Sequence, residues 1–185
     1  KDPILAVQYL ENDLQVGGAL AVANHAANFV SQVDAVTLIG GADDYEGFIR
    51  GRLKSNVQPH FMIKPNAPTL IKRRFIDSYS LNKLLQVYIM DSTGPLPEQD
   101  REACEWLAGH MESYDLVIAS DFGHGAVTQG MQERMCSLAP FLAVNAQANG
   151  VNRGFHTLSR YKRGDYFCLA EHEISLEMRD HTGPI

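Results

Sequence analysis

The sequence is short of the features that place a protein quickly. It has three cysteines, Cys104, Cys136 and Cys168, and no CxxC pair. An odd, scattered set argues for reduced thiols rather than a disulfide frame. The apolar patterns around Cys136 and Cys168 make buried packing their expected role. Seven histidines include no HxxxH or HExxH spacing, so a zinc site is not expected. Basic charge is not in excess: 16 Lys and Arg against 22 Asp and Glu give a net charge of -6. A nucleic-acid surface is normally basic, so that partner is excluded from the reading. No apolar run approaches the ~20 residues of a membrane span, so no membrane partner is expected. Nor is there a signal-peptide pattern, since Lys1-Asp2-Pro3 opens straight into a strand-like run. The expectation is a cytoplasmic protein, and the abrupt opening suggests a piece of a longer chain.

What is present describes a globular protein. Hydrophobic residues make up 45% and charged residues 21% of 185, enough for one domain over 1–185. Pro3 to Leu10 reads as a strand, Glu11-Asn12-Asp13 as a turn, and Leu14 to Val16 as a returning strand. Gly17-Gly18 then opens a helix with Ala19, Val22, Ala23, Ala26, Ala27 and Val30 on one face. Val36–Ile39 is a buried strand, and Asp43-Asp44 should cap a helix over about 45–53. Strands follow at 57–64, 69–77 and 84–90, with Pro65-Asn66-Ala67-Pro68 as a turn. A helix after Pro95 and Pro97 buries Ala103, Trp106, Leu107 and Met111. Next come a strand ending at Ser120-Asp121, a helix with Met131, Met135 and Leu138 at helical spacing, and a strand ending in Asn145. A strand at 165–169 and a helix at 171–179 complete the order. This alternation predicts an α/β fold, a mostly parallel sheet flanked by helices with a small β-rich lid.

The chemistry should sit at the carboxyl ends of neighbouring parallel strands, where open α/β sheets bind ligands. Gly17 and Gly18 let a ligand approach a helix N-terminus, and Asn24 can both donate to and accept from a sugar hydroxyl. The same residues would serve a plain turn and capped helix. Lys72 and Arg74 share one strand face about 6–7 Å apart and could straddle a phosphate, or could guard an edge strand with charge. Asp121 ends a buried strand, and Gly123 and Gly125 leave N–H groups open at a helix start; a simple turn would look the same. Asp121-Phe122-Gly123 spells the kinase metal-binding tripeptide, but no HRD loop or strand lysine accompanies it. Asn145, Gln147, Asn149, Asn152 and Arg153 suggest a polar pocket, the favoured reading, or a loop network that holds shape. Glu171 and Glu173 could hold magnesium through water or simply suit a helix N-terminus.

Together these residues resemble the ribokinase-like, PfkB-type carbohydrate kinase family, most closely the heptose kinase module of bifunctional ADP-heptose synthases. Gly17-Gly18-Ala19 through Asn24 is similar to the family's N-terminal signature. Ile39-Gly40-Gly41-Ala42-Asp43-Asp44 resembles its strand exit, and Thr69-Leu70-Ile71-Lys72-Arg73-Arg74 its T-x-x-K-x-R strand. Ile118-Ala119-Ser120-Asp121-Phe122-Gly123-His124-Gly125 is similar to its S-D-Y-x-x-G segment. The resemblance implies an incomplete domain of ribokinase-like (Rossmann-like) fold, with lid strands at about 3–16 and 57–90 and a homodimer surface on that lid. It implies a sugar or sugar-phosphate substrate bound by Gly17, Gly18, Asn24, Lys72, Arg74, Asp121 and Gly123. It places Asn145, Gln147, Asn149 and Glu173 on the nucleotide side, with Glu173 reaching magnesium through water. ATP and Mg2+ are implied for the complete protein, and neither is required by this chain. A fused nucleotidyltransferase domain is a further implied partner.

Three departures qualify the resemblance. Ala170 stands in place of the asparagine of N-x-x-E, and Asn145 where Asp is frequent. No G-A-G-D occurs, the motif that supplies the anion hole and the aspartate base. The reading is therefore a kinase fragment that is not catalytically competent by itself, its base expected beyond Ile185. A non-catalytic sugar- or nucleotide-binding module and a dimerising module are the alternatives.

Overall fold

The computed structural model describes residues 4–152, 154–180 and 182–183. Lys1 to Pro3, where the first strand was expected to begin, and Arg153 and Ile185 lie outside them. In chain order the elements are α1 (Gly18–Ala26), β1 (Val33–Gly40), α2 (Tyr45–Arg52), β2 (Val57–Lys64), β3 (Ile71–Ile76), β4 (Lys83–Ile89), α3 (Pro97–His110), β5 (Val117–Asp121), α4 (Gln129–Leu138), β6 (Leu142–Ala146), β7 (Tyr166–Phe167) and α5 (Glu171–Met178). Strands β1 and β2 pair in parallel, as do β5, β6 and β7 in that order, while β3 and β4 form an antiparallel hairpin.

Strand periodicity explains the layers. Side chains alternate across a strand, so Val33, Ala35 and Ile39 of β1 join Val57 and Phe61 of β2 against α1 and α2. The intervening Val36, Leu38 and Met62 face the other way, into a cluster with Ala103, Cys104 and Leu107 of α3, Met131 and Met135 of α4, and Ala119, Leu142 and Val144. Burial on both faces is what parallel strands require. On α1 the buried positions are Leu20 and Ala23, with Ala27 just after it. Val30, expected on that face, is exposed.

Several expectations need correction. Residues 4–16 form no strand, and Ile4, Leu5, Val7 and Tyr9 are exposed. A strand needs a partner for its N–H and C=O groups, and residues 4–16 join no ladder among the described residues, so they are not the lid strand expected there. The segment 57–64 also leaves the lid. It pairs with β1 from Val33↔Val57 to Gly40↔Lys64, because Val57 and Met62 complete the two core clusters. Pro59 is tolerated because β2 pairs on one side only among the described residues. The hairpin is thus 71–89 alone. Asp43 does not cap α2; its carboxylate accepts from the Thr69 backbone N–H at 2.6 Å and hydroxyl at 2.7 Å, tying the exit of β1 to the approach to β3. Cys104 is buried, Cys136 half-buried, and Cys168, expected inside, is exposed beyond the two-residue β7.

Candidate functional site

β1, β2, β5 and β6 are parallel within their sheets, and β5 delivers Asp121 to the carboxyl edge. Asp121 is only 2% exposed, and its side chain points into the protein. Oδ2 accepts from the Tyr161 hydroxyl at 2.9 Å and the Gln132 amide of α4 at 3.3 Å; Oδ1 accepts from the Gly123 N–H at 3.1 Å. His156 Nε2 lies 2.8 Å from Oδ1, close enough for an ion pair but off the line of a hydrogen bond. Burial works to raise the Asp121 pKa, but His156, the Tyr161 hydroxyl and the Gly123 N–H outweigh it and hold the carboxyl below its usual range. Tyr161 is pushed up, first by burial and then by the Asp121 charge. Asp121 is therefore an ionised floor whose lone pairs are already engaged.

Gly123 makes that floor possible. Its φ is +65°, and a Cβ there would lie 2.2 Å from Asn152 Nδ2 and 2.9 Å from His156 Cγ. The expected role at a helix start is not observed, since α4 begins later, at Gln129, with Thr128 capping Met131 N–H. Gly125 instead crosses Gly94, where a Cβ on Gly94 would stand 2.7 Å from the Gly125 carbonyl oxygen. Here two loops touch backbone to backbone: Gly94 has no room for a Cβ, and Gly125, at φ +87°, would hold one only in tight 3.2 Å contact with Gly94 N and the Ser92 carbonyl oxygen.

Above the floor, the hairpin meets the sheet edge. Cross-strand register places Lys72 opposite Tyr88. The Lys72 ammonium sits 5.5 Å from the Tyr88 ring centroid and 5.6 Å from that of Phe122, a cation held over two aromatic faces. Burial, then the Arg74 charge, lowers the Lys72 pKa. Arg74 shares the face as expected, its Nε donating to Gln86 Oε1 at 2.8 Å. Gly18 closes the group from below, since a Cβ there would be 3.7 Å from Phe122 Cε2. Gly17 caps α1 in open space.

His124 completes this seam. It is 9% exposed, its ring centroid is 5.9 Å from that of Tyr88, and neither ring nitrogen has a hydrogen-bond partner among the described residues. Burial first, and then the Lys72 charge, pushes its pKa down to about 4, so the ring is neutral at pH 7. It borders a cavity of about 50 Å³ that also touches Gly40, Lys64, Leu70 and Asp91. Lys64 is satisfied there by Asp91 at 3.1 Å, the Gly94 carbonyl at 2.7 Å and the Thr93 hydroxyl.

Other expected site residues lie elsewhere or are engaged. Asn24 is at the far end of α1, donating to the Arg52 carbonyl and accepting from the Lys54 N–H, both at 2.9 Å. Six residues of helix separate it from Gly18 by roughly 9 Å. The amide cluster is a loop network rather than an open pocket. Asn145 donates to the Cys168 carbonyl, Asn149 to that of Phe122, and Asn152 to that of Gln147. Asn149 Oδ1 accepts from the N–H groups of Val151 and Asn152. Buried Glu173 accepts from the Ala148 and Ala170 N–H groups, the latter the back-bond of a helix N-terminus. Asn145, Asn149 and Glu173 thus spend polar groups on backbone and do not form an open cradle for nucleotide and magnesium. Among the described residues no His, Cys, Asp and Glu group is arranged to hold a metal. Phe122, Tyr88 and His124 were not singled out from sequence. The signal was there in an aromatic and a histidine on a Gly-x-Gly turn, but what they face was not.

Parallel strands flanked by helices, with a β-hairpin beside them, make up a mixed α/β fold. A solved chain from Staphylococcus aureus assigned as a phosphofructokinase shares it, with a TM-score of 0.51 at 11% identity over 94% of this chain and 58% of that one. No family model matches the chain. In sequence it is similar to the bifunctional protein HldE of Trichlorobacter lovleyi, 27% identical over 140 residues, 74% of this chain and 28% of that protein. HldE of Shewanella amazonensis is 27% identical over 150 residues, 80% of this chain and 28% of that protein. HldE of Rhodopseudomonas palustris is 28% identical over 129 residues, 68% of this chain and 26% of that protein. The matched region spans about a quarter of these relatives' length. The chain is thus similar in sequence to HldE proteins and in fold to a chain assigned as a phosphofructokinase.

Proposed function

We propose that this chain is the substrate-recognising portion of a carbohydrate kinase and binds a sugar or sugar phosphate, such as a heptose phosphate, at the seam between hairpin and core. The observation that carries this reading is the gathering of Lys72, Tyr88, Phe122, Gly18 and His124 at the carboxyl edge of a sugar-kinase-like fold. Aromatic faces suit the apolar face of a sugar, and the ammonium suits an anionic substituent. Arg74 extends the positive charge along the same strand face. Asp121 and Gly123 act beneath, positioning Phe122. In the complete protein ATP with Mg2+ would donate the phosphoryl group. The 185 residues contain no G-A-G-D, so this chain alone transfers no phosphate. The relatives are described as bifunctional, which fits a second unit in the complete protein, a nucleotidyltransferase by resemblance. Three unpaired cysteines fit a cytoplasmic setting.

Calorimetry with a heptose or hexose phosphate, the free sugar and ATP tests the reading. The sugar phosphate should bind and Lys72→Met should weaken it, with no ATP turnover. ATP-dependent phosphorylation by this chain would refute the inactive-fragment reading, and indifference to every sugar and sugar phosphate would refute the binding reading. A dimerising role is the second reading, favoured by exposed Ile76, Leu84 and Leu85 on the hairpin. Sedimentation decides it: a dimer abolished by Leu85→Lys with ligand binding intact would support it.

A further inference from the structure

The seam that the sugar reading points to is already occupied by a side chain of this protein. The Lys72 ammonium stands over the Tyr88 ring, 5.5 Å from its centroid, and over the Phe122 ring, 5.6 Å from its centroid. Tyr88 is the cross-strand neighbour of Lys72 in the hairpin, whereas Phe122 follows β5 in the core. One side chain therefore bridges hairpin and core. Both rings are half-buried, so each keeps part of its surface open to solvent. Sugars stack their C–H face on aromatic faces, and here an ammonium takes that place. Tyr88 also meets the His124 ring, with centroids 5.9 Å apart, and Phe122 also meets Gly18. His124 is buried and Gly18 is backbone, while Lys72 is a half-buried four-carbon chain that can swing.

What holds Lys72 there is weak. Cation–π attraction at partly exposed rings is a modest force, and no carboxylate pairs with Lys72 among the described residues. Arg74 adds like charge from the same face of β3. Its Nε is fixed by Gln86 Oε1 at 2.8 Å, and its terminal N–H groups have no partner among the described residues. A charge-assisted hydrogen bond is stronger than a cation–π contact, so an anion beside Arg74 draws the ammonium off the rings. A neutral sugar brings no such pull.

We propose that Lys72 is a gate that covers the sugar-stacking rings in the free chain and leaves them only for an anion, so that anion and sugar ring bind cooperatively. The arriving anion takes hydrogen bonds from the Lys72 ammonium and the Arg74 guanidinium. Tyr88 and Phe122 are then uncovered and take the apolar face of the sugar. No covalent bond forms or breaks. By linkage, a sugar on the rings favours the anion by the same factor. This inference rests on the sugar-phosphate reading and adds to it a closed state and the residue that keeps it closed.

The test is NMR of the 185-residue chain carrying lysine labelled at the ε-carbon. Ring currents of Tyr88 and Phe122 shift the Lys72 ε-methylene signal upfield while it lies over them, and Lys72→Ala assigns that signal by its loss. Inorganic phosphate, a hexose and its 6-phosphate are the probes. In the free chain the signal should lie upfield, and Phe122→Leu should move it part of the way back. Phosphate and the hexose 6-phosphate should release it, and the hexose alone should not. Calorimetry of the same chain should show saturating phosphate tightening hexose binding at least about fivefold. Lys72→Ala should bind the hexose about fivefold more tightly than the native chain and lose the effect of phosphate. The gate is overturned by an ordinary Lys72 signal in the free chain, or by hexose binding that phosphate leaves unchanged. Hexose 6-phosphate binding with the signal unmoved would sink the gate and leave the sugar reading standing. Phosphate releasing Lys72 while neither hexose nor its 6-phosphate binds more tightly than phosphate would sink the sugar reading, and the cooperativity with it.

Discussion

Two buried polar side chains stand three residues apart on one turn, in opposite conditions. Asp121 collects donors from Tyr161, Gln132 and Gly123 and a close imidazole from His156. His124 has neither nitrogen partnered among the described residues. Similar burial therefore carries different meanings. A saturated buried carboxylate is a structural node, and what it offers a ligand is the placement of Phe122 and Gly123. An unsaturated buried imidazole is a local cost to the fold. Hydrogen-bond completeness separates floor from seam more sharply than burial or residue type.

The largest break in that contrast is Asp121→Ala. It strands the Tyr161 hydroxyl, the Gln132 amide and His156 inside the protein, and should cost roughly 3–5 kcal/mol. Urea unfolding checks it, and a cost below about 1 kcal/mol would mean that the floor is not a node. Gly123→Ala comes next, at roughly 2–4 kcal/mol from positive φ and from contact with Asn152 and His156. The expected signature is lost stability together with weakened ligand binding.

A pH series separates the two groups without mutation. The folded pKa of His124, about 4, lies below the usual 6.5, so on acidification the unfolded chain takes the proton first. Stability present above pH 6.5 should fall as the pH drops toward 4. Asp121 is also depressed, so its contribution holds until the pH drops below the usual 3.8. Loss of stability between 6.5 and 4 should therefore shrink in His124→Leu, and an unchanged slope would remove His124 as its source. The smallest expected effect is the stability of His124→Leu at pH 7. Removing an unpartnered polar group for an apolar one should change stability by less than about 1 kcal/mol, or raise it. A large loss would show that the ring is a structural group after all.

The sequence was legible where physics is local. The apolar run Val36–Ile39 marks a buried strand, which the structure extends to Val33–Gly40. Met131 and Met135 mark the helix after Asp121, and Pro65-Asn66 marks a turn, with Asn66 at φ 59°. Lys72 and Arg74 fall on one face of β3 as period two requires; the order of βα units gave the fold class, and the motifs at Gly17–Asn24, Ile39–Asp44, Thr69–Arg74 and Ile118–Gly125 carried the family resemblance. Tertiary structure alone decided the rest. Whether 57–64 pairs with β1 or with the hairpin depends on which edge completes a core, and whether 4–16 is a strand depends on a partner it does not find. Asp121 meets Tyr161, 40 residues further along the chain, whereas no described residue hydrogen-bonds the ring nitrogens of His124. Periodicity fixes which way a side chain points relative to its neighbours in sequence. Satisfaction of a buried polar group depends on residues far along the chain, and only packing brings those together.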